Sequence, residues 1–341
     1  MAQSNIQILA IESSCDDTSA AVSNNTKILS NVISSQKIHE KYGGVVPELA
    51  SRAHLQNIIP VVHEALQLAG VKLNEIDAIA FTKGPGLLGS LLVGTSFAKS
   101  LSLALRKPLI DVNHMKAHIL AHFIDNKENK KPQFPFICLT VSGGHTQIVQ
   151  VNSPYEFEIL GNTIDDAAGE AFDKCAKVLG LPYPGGPHID RLAQKGNSLR
   201  FEFSKPKVEG LNYSFSGLKT SFLYFLQKEL KKNSEFIQEN LEDLCASLQK
   251  TILDILFYKL EKVVLETGIN QIAIAGGVSA NNGLRNRLKE YEEYKKWIVY
   301  IPDFQYCTDN AGMIAVAAYF QYKKGDFADL EVQSKARIDT W

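Results

Sequence analysis

Ile8-Leu9-Ala10-Ile11-Glu12-Ser13-Ser14-Cys15-Asp16-Asp17-Thr18 is an apolar strand that runs into a small polar turn and resumes as the apolar stretch Thr18 to Val22. Phe136 to Val141, Ser142-Gly143-Gly144-His145 and Thr146 to Val151 repeat the device later in the chain. Apolar runs of strand length, closed by turns of Ser, Asp and Gly, predict a β-hairpin at each place. The likeness is one of architecture more than of residues.

The segments after each hairpin extend the likeness. After the first, the pattern predicts a strand (27–34), an amphipathic helix (47–68), a strand (77–81), a helix (87–105), a strand (109–112) and a helix opening at His114. After the second it predicts a strand (156–160), helical segments (166–179 and 241–265), a strand (271–275), a helix (281–288), a strand (297–301) and a last helix (310–322). Each half reads βββαβαβα, and residues 180–240 interrupt the second copy as an insertion. The polar stretch from Asp125 to Pro132 reads as a linker. The expected organisation is an N-terminal lobe over 1–124, a linker over 125–135, a C-terminal lobe over 136–308, and a helix and tail over 309–341 packing back on the N-terminal lobe. Alternating strands and helices predict α/β sheets covered on both faces. Duplicated halves of this order describe the actin-like ATPase (ASKHA) fold, with a nucleotide and metal cleft between two lobes.

Composition excludes some classes. The chain has 341 residues, 45% of them hydrophobic and 21% charged, as in an ordinary globular protein. A net charge of -1 argues against a strongly basic nucleic-acid binder, while leaving room for a local patch. The start lacks a basic segment, a long apolar core and a cleavage site, and no uninterrupted apolar run reaches the roughly 18 residues that span a bilayer. Cys15, Cys138, Cys175, Cys245 and Cys307 are scattered, with no CxxC pair. An odd, scattered set predicts reduced thiols in a cytoplasmic protein.

His114-Met115-Lys116-Ala117-His118 carries the chemistry. Residues four apart on a helix differ by about 40° in azimuth, so both imidazoles share one face, at metal-ligand spacing. Core or solvated histidines share that spacing, and His122, which continues the stripe, suits either reading. The zinc-protease helix motif needs Glu as general base at its second position, and here that residue is Met115. A metal would need a further ligand. In the duplicated scheme Thr308-Asp309-Asn310 opens the helix corresponding to the one at His114, which makes Asp309 the candidate from across the cleft. An N-cap is the competing role for Asp309.

Three turns bear on a nucleotide. Gly84-Pro85-Gly86-Leu87-Leu88-Gly89 satisfies GxGxxG between a strand and a helix, but it sits deep within a half whose counterpart lacks it. Ala275-Gly276-Gly277-Val278-Ser279-Ala280-Asn281 and Ser142-Gly143-Gly144-His145-Thr146 offer backbone amides to an anion. No Walker A sequence is present. Asp166, Glu170 and Asp173 share a helical face, either as a solvated acidic surface or as part of a ligand site closed by Tyr183-Pro184-Gly185-Gly186-Pro187. The insertion interleaves Arg191, Lys195, Arg200, Lys205, Lys207, Lys219, Lys228, Lys231 and Lys232 with Phe201, Phe203, Tyr213, Phe215 and Phe222. That mixture suits phosphates and unstacked bases, and equally a solvated face over a small core.

Taken together, Ile11-Glu12-Ser13-Ser14-Cys15-Asp16-Asp17-Thr18, the stretch Tyr42 to His54, the Gly84 loop, Asn113 to His118, Val141 to Thr146, Asp165 to Lys174, Phe215 to Thr220 and Ala275 to Asn281 resemble the bacterial tRNA threonylcarbamoyladenosine transferase family, once labelled sialoglycoprotein endopeptidases. The resemblance runs nearly end to end. It implies transfer of a threonylcarbamoyl group from threonylcarbamoyl-AMP to the N6 amine of the adenosine beside the anticodon, in tRNAs reading ANN codons. It also implies a divalent metal, Fe2+ or Zn2+, on His114, His118 and Asp309. Substrate contacts are implied at Thr140, Val141, Ser142, Gly143, Gly144, Asp173, Gly186, Asp190 and Asn281. Glu12, at the first hairpin turn, is the candidate for assisting proton removal from the amine. The implied partners are tRNA, an inactive paralogue of the same fold, a small P-loop ATPase, and an upstream threonylcarbamoyl-AMP synthase as supplier, with no membrane; ATP or ADP is a further possible ligand. The alternatives are a metal-dependent endopeptidase and a non-catalytic nucleotide-binding scaffold of the same complex.

Overall fold

The computed structural model describes residues 5–125 and 130–337, so residues 126–129 of the expected linker lie outside it. The chain forms two compact units. One comprises the described residues of Met1–Pro132, Ser153–Glu156 and Pro302–Trp341; the other comprises Gln133–Asn152 and Phe157–Ile301.

The first unit contains β1 (Gln7–Glu12), β2 (Thr18–Asn24), β3 (Lys27–Ser34), α1 (Pro47–Ala69), β4 (Ala78–Gly84), α2 (Leu88–Leu105), β5 (Leu109–Asn113) and α3 (His114–Leu120). Its sheet runs β3-β2-β1-β4-β5, with β1 antiparallel to β2 and parallel to β4. The second repeat contains β6 (Phe136–Val141), β7 (Thr146–Ser153), β8 (Glu156–Asn162), α4 (Ala168–Val178), α5 (Gly185–Ala193), α6 (Ser216–Leu230), α7 (Phe236–Thr267), β9 (Gln271–Ala275), α8 (Asn282–Tyr294), β10 (Ile298–Tyr300) and α9 (Ala311–Lys324). Its sheet runs β10-β9-β6-β7-β8, with β6 antiparallel to β7 and parallel to β9. Strand for strand this is the order of the first sheet, so the repeat read in the sequence is a repeat of topology.

Side-chain alternation assigns the faces of β1. Leu9 and Ile11 enter a core with Ile58, Val61, Val62 and Ala65 of α1 and Ala98 of α2. Ile8, Ala10 and Glu12 project from the opposite face, and the strand is sealed on both. α9 packs on this first sheet and on α3, its small residues Ala311, Gly312, Ala315 and Ala318 letting it approach closely. The last helix of the second repeat therefore belongs to the first unit. α2 is long and apolar enough to cross a membrane, with a mean hydropathy of 1.4 over 18 residues, yet it packs against α1 and β4.

The insertion is no appendage. Phe203, Tyr213, Phe215 and Phe222 are buried in the main core of the second unit, with Ile252, Leu256 and Leu260 of α7. Phe201, Phe203, Phe222, Phe225 and Phe236 meet in tilted and edge-to-face contacts. These rings are spent on the fold, and the reading in which they would stack on bases is corrected. Many of the cations are paired as well: Lys195 with Glu242, Arg200 with Asp243 and Lys205 with Asp254.

Asp254 ties this unit together. Its carboxylate accepts from Lys205 of the insertion and Lys250 of α7, each at 2.7 Å, and from Arg287 of α8 at 2.6 Å. Burial would raise its pKa, but the three cations hold it down at about 2. A folded-state pKa below the unfolded value contributes stability above about pH 4, which is lost as pH falls through about 2. Because Lys205 is half in water, Asp254→Asn should cost about 1 to 2 kcal/mol at pH 7. In urea melts, the gap to the parent protein should shrink to about half by pH 3. A gap independent of pH would contradict this account.

Candidate functional site

The candidate metal-ligating group is assembled inside the first unit. Asn113 caps α3, its Oδ1 accepting from the backbone N of Met115 at 2.9 Å and of Lys116 at 3.1 Å. That cap starts the helix at His114, so His114 and His118 fall one turn apart on the same face. Their rings meet edge to face with centroids 4.7 Å apart. Asp309 arrives from the start of α9. Its Oδ1 lies 3.4 Å from His114 Nε2 and 3.2 Å from His118 Nε2. The N-cap of α9 is Asn310, whose side chain accepts from Met313 N at 3.0 Å, so Asp309 is free of the capping role that competed for it. The expectation that the two lobes would each contribute a ligand is corrected, because α9 packs on the first sheet. His122 is buried in the turn after α3 and takes no part in the group.

These three residues fit a metal. Ligand atoms about 2.1 Å from a tetrahedral ion lie about 3.4 Å from one another, and the ligand atoms here all fall within 4.8 Å. The local charge fits as well. Burial works against charge on His114, yet the carboxylates of Asp309 and Glu12 outweigh it and lift its pKa to about 10. Burial likewise works against charge on Asp309, but both histidines hold it far below the usual carboxylate range. Burial pushes His118 down, favouring the neutral imidazole that ligates. Two carboxylates on buried imidazoles make a pocket that calls for a cation.

Glu12 meets His114 from within the core. It is fully enclosed, at 0% exposure. One oxygen accepts from Ser14 N at 2.5 Å; the other accepts from Thr82 Oγ1 at 2.6 Å and meets His114 Nδ1 at 3.0 Å. A carboxylate so enclosed and occupied suits a positioning role better than removal of a proton from an incoming amine. The arrangement is the carboxylate–histidine pair that fixes a ligating ring and its tautomer. His118 differs, since its buried Nδ1 has no hydrogen-bond partner among the described residues. His54, at the end of the Tyr42 to His54 motif, pins the same hairpin turn: its Nδ1 meets Thr18 Oγ1 at 2.8 Å and its Nε2 donates to Cys15 O at 3.0 Å.

The implied substrate residues gather in the second unit, at the carboxyl ends of β6 and β9. Thr140 and Val141 are buried in β6, and the turn Ser142 to His145 closes with Ser142 N donating to His145 O at 2.8 Å. Gly276 packs over Val141: it has φ +85°, and a Cβ there would lie 2.6 Å from Val141 O. Only glycine suits that conformation without strain. Asp173 Oδ1 accepts from Gly185 N at 2.8 Å and Gly186 N at 3.2 Å, at the start of α5. Asp190 accepts from Asn282 N at 3.0 Å and Nδ2 at 2.8 Å and from Gly283 N at 3.3 Å, at the start of α8. Asn281 caps α8 through Leu284 N at 2.8 Å and donates to Gln249 at 2.7 Å. Gly169 N, at the start of α4, donates to Ser142 O at 3.2 Å, and the Asp173 and Asp190 contacts tie α4 to α5 and α5 to α8, in surroundings that favour an anion or polar nucleoside at strand ends. The acidic trio is split: Lys174 holds Asp166 and Glu170, while Asp173 turns to α5. The GxGxxG loop has no room for a dinucleotide, since a Cβ at Gly84 would run into Lys335 O.

Sequence reasoning missed Asn113, Asn310, Ser14 and Thr82. Each Asn stands directly before an apolar helical run and was legible as a cap. Ser14 and Thr82 carry no such signal: Ser14 meets Glu12 through the local shape of the turn, and the register of β1 with β4 brings Thr82 to it.

The profile of the family described as tRNA N6-adenosine threonylcarbamoyltransferase matches residues 27–316. The chain is 61% identical over 337 residues to the tRNA N6-adenosine threonylcarbamoyltransferase of Christiangramia forsetii, covering 99% of each. It is 49% identical over 330 residues to the enzyme of that name from Thermosipho africanus, covering 96% of this chain and 98% of that one. Among solved structures, full-length HypF in a phosphate- and nucleotide-bound form superposes with a TM-score of 0.63 at 16% identity, over 95% of this chain and 47% of that one. Component A of the Acidaminococcus fermentans (R)-2-hydroxyglutaryl-CoA dehydratase superposes with a TM-score of 0.52 at 15% identity, over 94% of this chain and 98% of that one. At those identities the two structures speak for the fold alone, which is the actin-like one read from the repeat. The chain belongs to the tRNA N6-adenosine threonylcarbamoyltransferase family.

Proposed function

We propose that this protein transfers the threonylcarbamoyl group of threonylcarbamoyl-AMP to the N6 amine of the adenosine beside the anticodon in tRNAs reading ANN codons. The near end-to-end identity with curated transferases carries the reading. The amine nitrogen attacks the carbonyl carbon of the mixed anhydride, the bond from that carbon to the phosphate oxygen breaks, AMP leaves, and the amine gives up a proton.

His114, His118 and Asp309 would hold a divalent ion, which supplies Lewis-acid polarisation of an oxygen of the donor. Two imidazoles and one carboxylate are the donor set of non-haem Fe2+ sites and also serve Zn2+, so we assign iron first and zinc second. Glu12 holds His114 in the ligating tautomer. The Gly143 and Gly144 amides suit the phosphate, and Asp173, Gly186, Asp190 and Asn281 suit the nucleoside end. ATP or ADP would fit the same groups.

Partners belong to the proposal too: an inactive paralogue, a small P-loop ATPase and a synthase supplying the adenylate, all in the cytoplasm with tRNA. Exposed Leu55 and Ile59 on α1 and Leu88 and Leu92 on α2 support an apolar docking surface. The test is incubation of the purified metal-loaded protein with its partners, the adenylate and unmodified tRNA, followed by mass spectrometry of the nucleosides. Threonylcarbamoyladenosine should appear only with this protein present, and unmodified adenosine throughout would overturn the reading.

A further inference from the structure

The segment after α9, through Ala336, reaches the candidate metal group by a continuous line of contacts. Beyond α9, Ala328 bridges to Leu109 on the edge strand β5, its N donating to Leu109 O at 2.8 Å. The tail then runs over the loop joining β4 to α2. Ser334 Oγ and Thr95 Oγ1 are 2.6 Å apart, Lys335 N donates to Lys83 O at 2.8 Å, and Gly86 N donates to Ala336 O at 3.2 Å. The loop carries the contact inward. Leu87 N donates to Ser14 O at 2.7 Å, and Gly86 lies so close that a Cβ would stand 2.4 Å from Ser14 O. Ser14 in turn gives its N–H to Glu12 Oε1 and sets its Oγ 3.3 Å from His114 Nδ1.

The tail is otherwise largely open to water, while the groups it leads to are buried. A segment with so little surface of its own in the core adds little to global stability. It restricts instead where the Gly84 to Leu87 loop sits. We propose that Ser334 to Ala336 form a positioning strap, which holds that loop against Ser14 and so fixes Glu12 and the ligating orientation of His114. The inference rests on the metal reading of His114, His118 and Asp309. It assigns to these residues a role in metal affinity; they touch neither metal nor substrate.

The experiment compares the full chain with a chain ending at Gln333, both as metal-free protein and with added Fe2+ or Zn2+. In the metal-free state, the truncated chain should exchange the Leu87 and Ser14 amide hydrogens at least about tenfold faster, with an almost unchanged thermal midpoint. Its metal Kd should rise about tenfold, as for loss of an outer support of a ligand. Saturating metal should then restore the transfer rate. Gly86→Ala in the full chain presses on Ser14 from the same side, so it should weaken metal binding similarly and add little in the truncated chain. Equal exchange and equal Kd in the two chains would overturn the strap. A full chain that takes up no metal would overturn the metal reading itself, so the two failures are distinct.

Discussion

Asp309→Ala will strip the metal and lower transfer by about 1,000-fold or more, while the protein stays folded. The size follows from losing one of three ligands and, with the ion, several kcal/mol of charge stabilisation in the transition state. Survival of the fold follows from the surroundings of Asp309. Its side chain is 27% exposed, and Asn310 rather than Asp309 caps α9. His114→Ala is the less clean experiment, because it strands the Glu12 carboxylate unpaired at 0% exposure, and uncompensated buried charge costs about 3 to 5 kcal/mol. Metal analysis of dialysed Asp309→Ala protein, circular dichroism and nucleoside mass spectrometry decide the matter. One equivalent of metal retained with full transfer would remove Asp309 from the site.

Glu12→Gln should weaken metal binding by about 10- to 100-fold, the usual cost of losing an outer partner of a ligating histidine. Glutamine keeps the shape and still accepts from Ser14 N. It brings an amide N–H2 to face His114 Nδ1 in place of the oxygen now 3.0 Å away. The ring then favours the tautomer with its proton on Nε2, the nitrogen that must be bare to ligate. If Glu12 acts by positioning, excess metal should restore the transfer rate. If it takes the proton of the amine, the rate should stay low at saturating metal.

Much of the molecule was legible because it depends on local order. Periodicity marked nearly every strand and helix, and comparison of the two hairpins was enough to reveal the repeat. The spacing of His114 and His118 put both rings on one helical face, since a helical turn is the same wherever it occurs. The glycine turns at Ser142 and Gly276 were visible for a similar reason: short stretches of small residues after apolar runs have few conformations open to them.

The fate of the insertion's aromatics was not legible. Phe and Tyr among lysines look alike whether they wait for a base or fill a core, and only burial of Tyr213, Phe215 and Phe222 at 0% exposure separates the two. The role of Glu12 was hidden too. A carboxylate at a hairpin turn reads as solvated until the register of β1 with β4 sets Thr82 beside it and α3 brings His114 across. So the sequence by itself determined the two-fold repeat, the paired histidines and the family; the tertiary structure decided that Asp309 meets them within one unit and that Glu12 lies against one of the rings. The physical reason is range. Strand and helix patterns are set by neighbours a few residues apart, whereas the metal group joins residues separated by 191 positions, and no local pattern records which buried groups will meet.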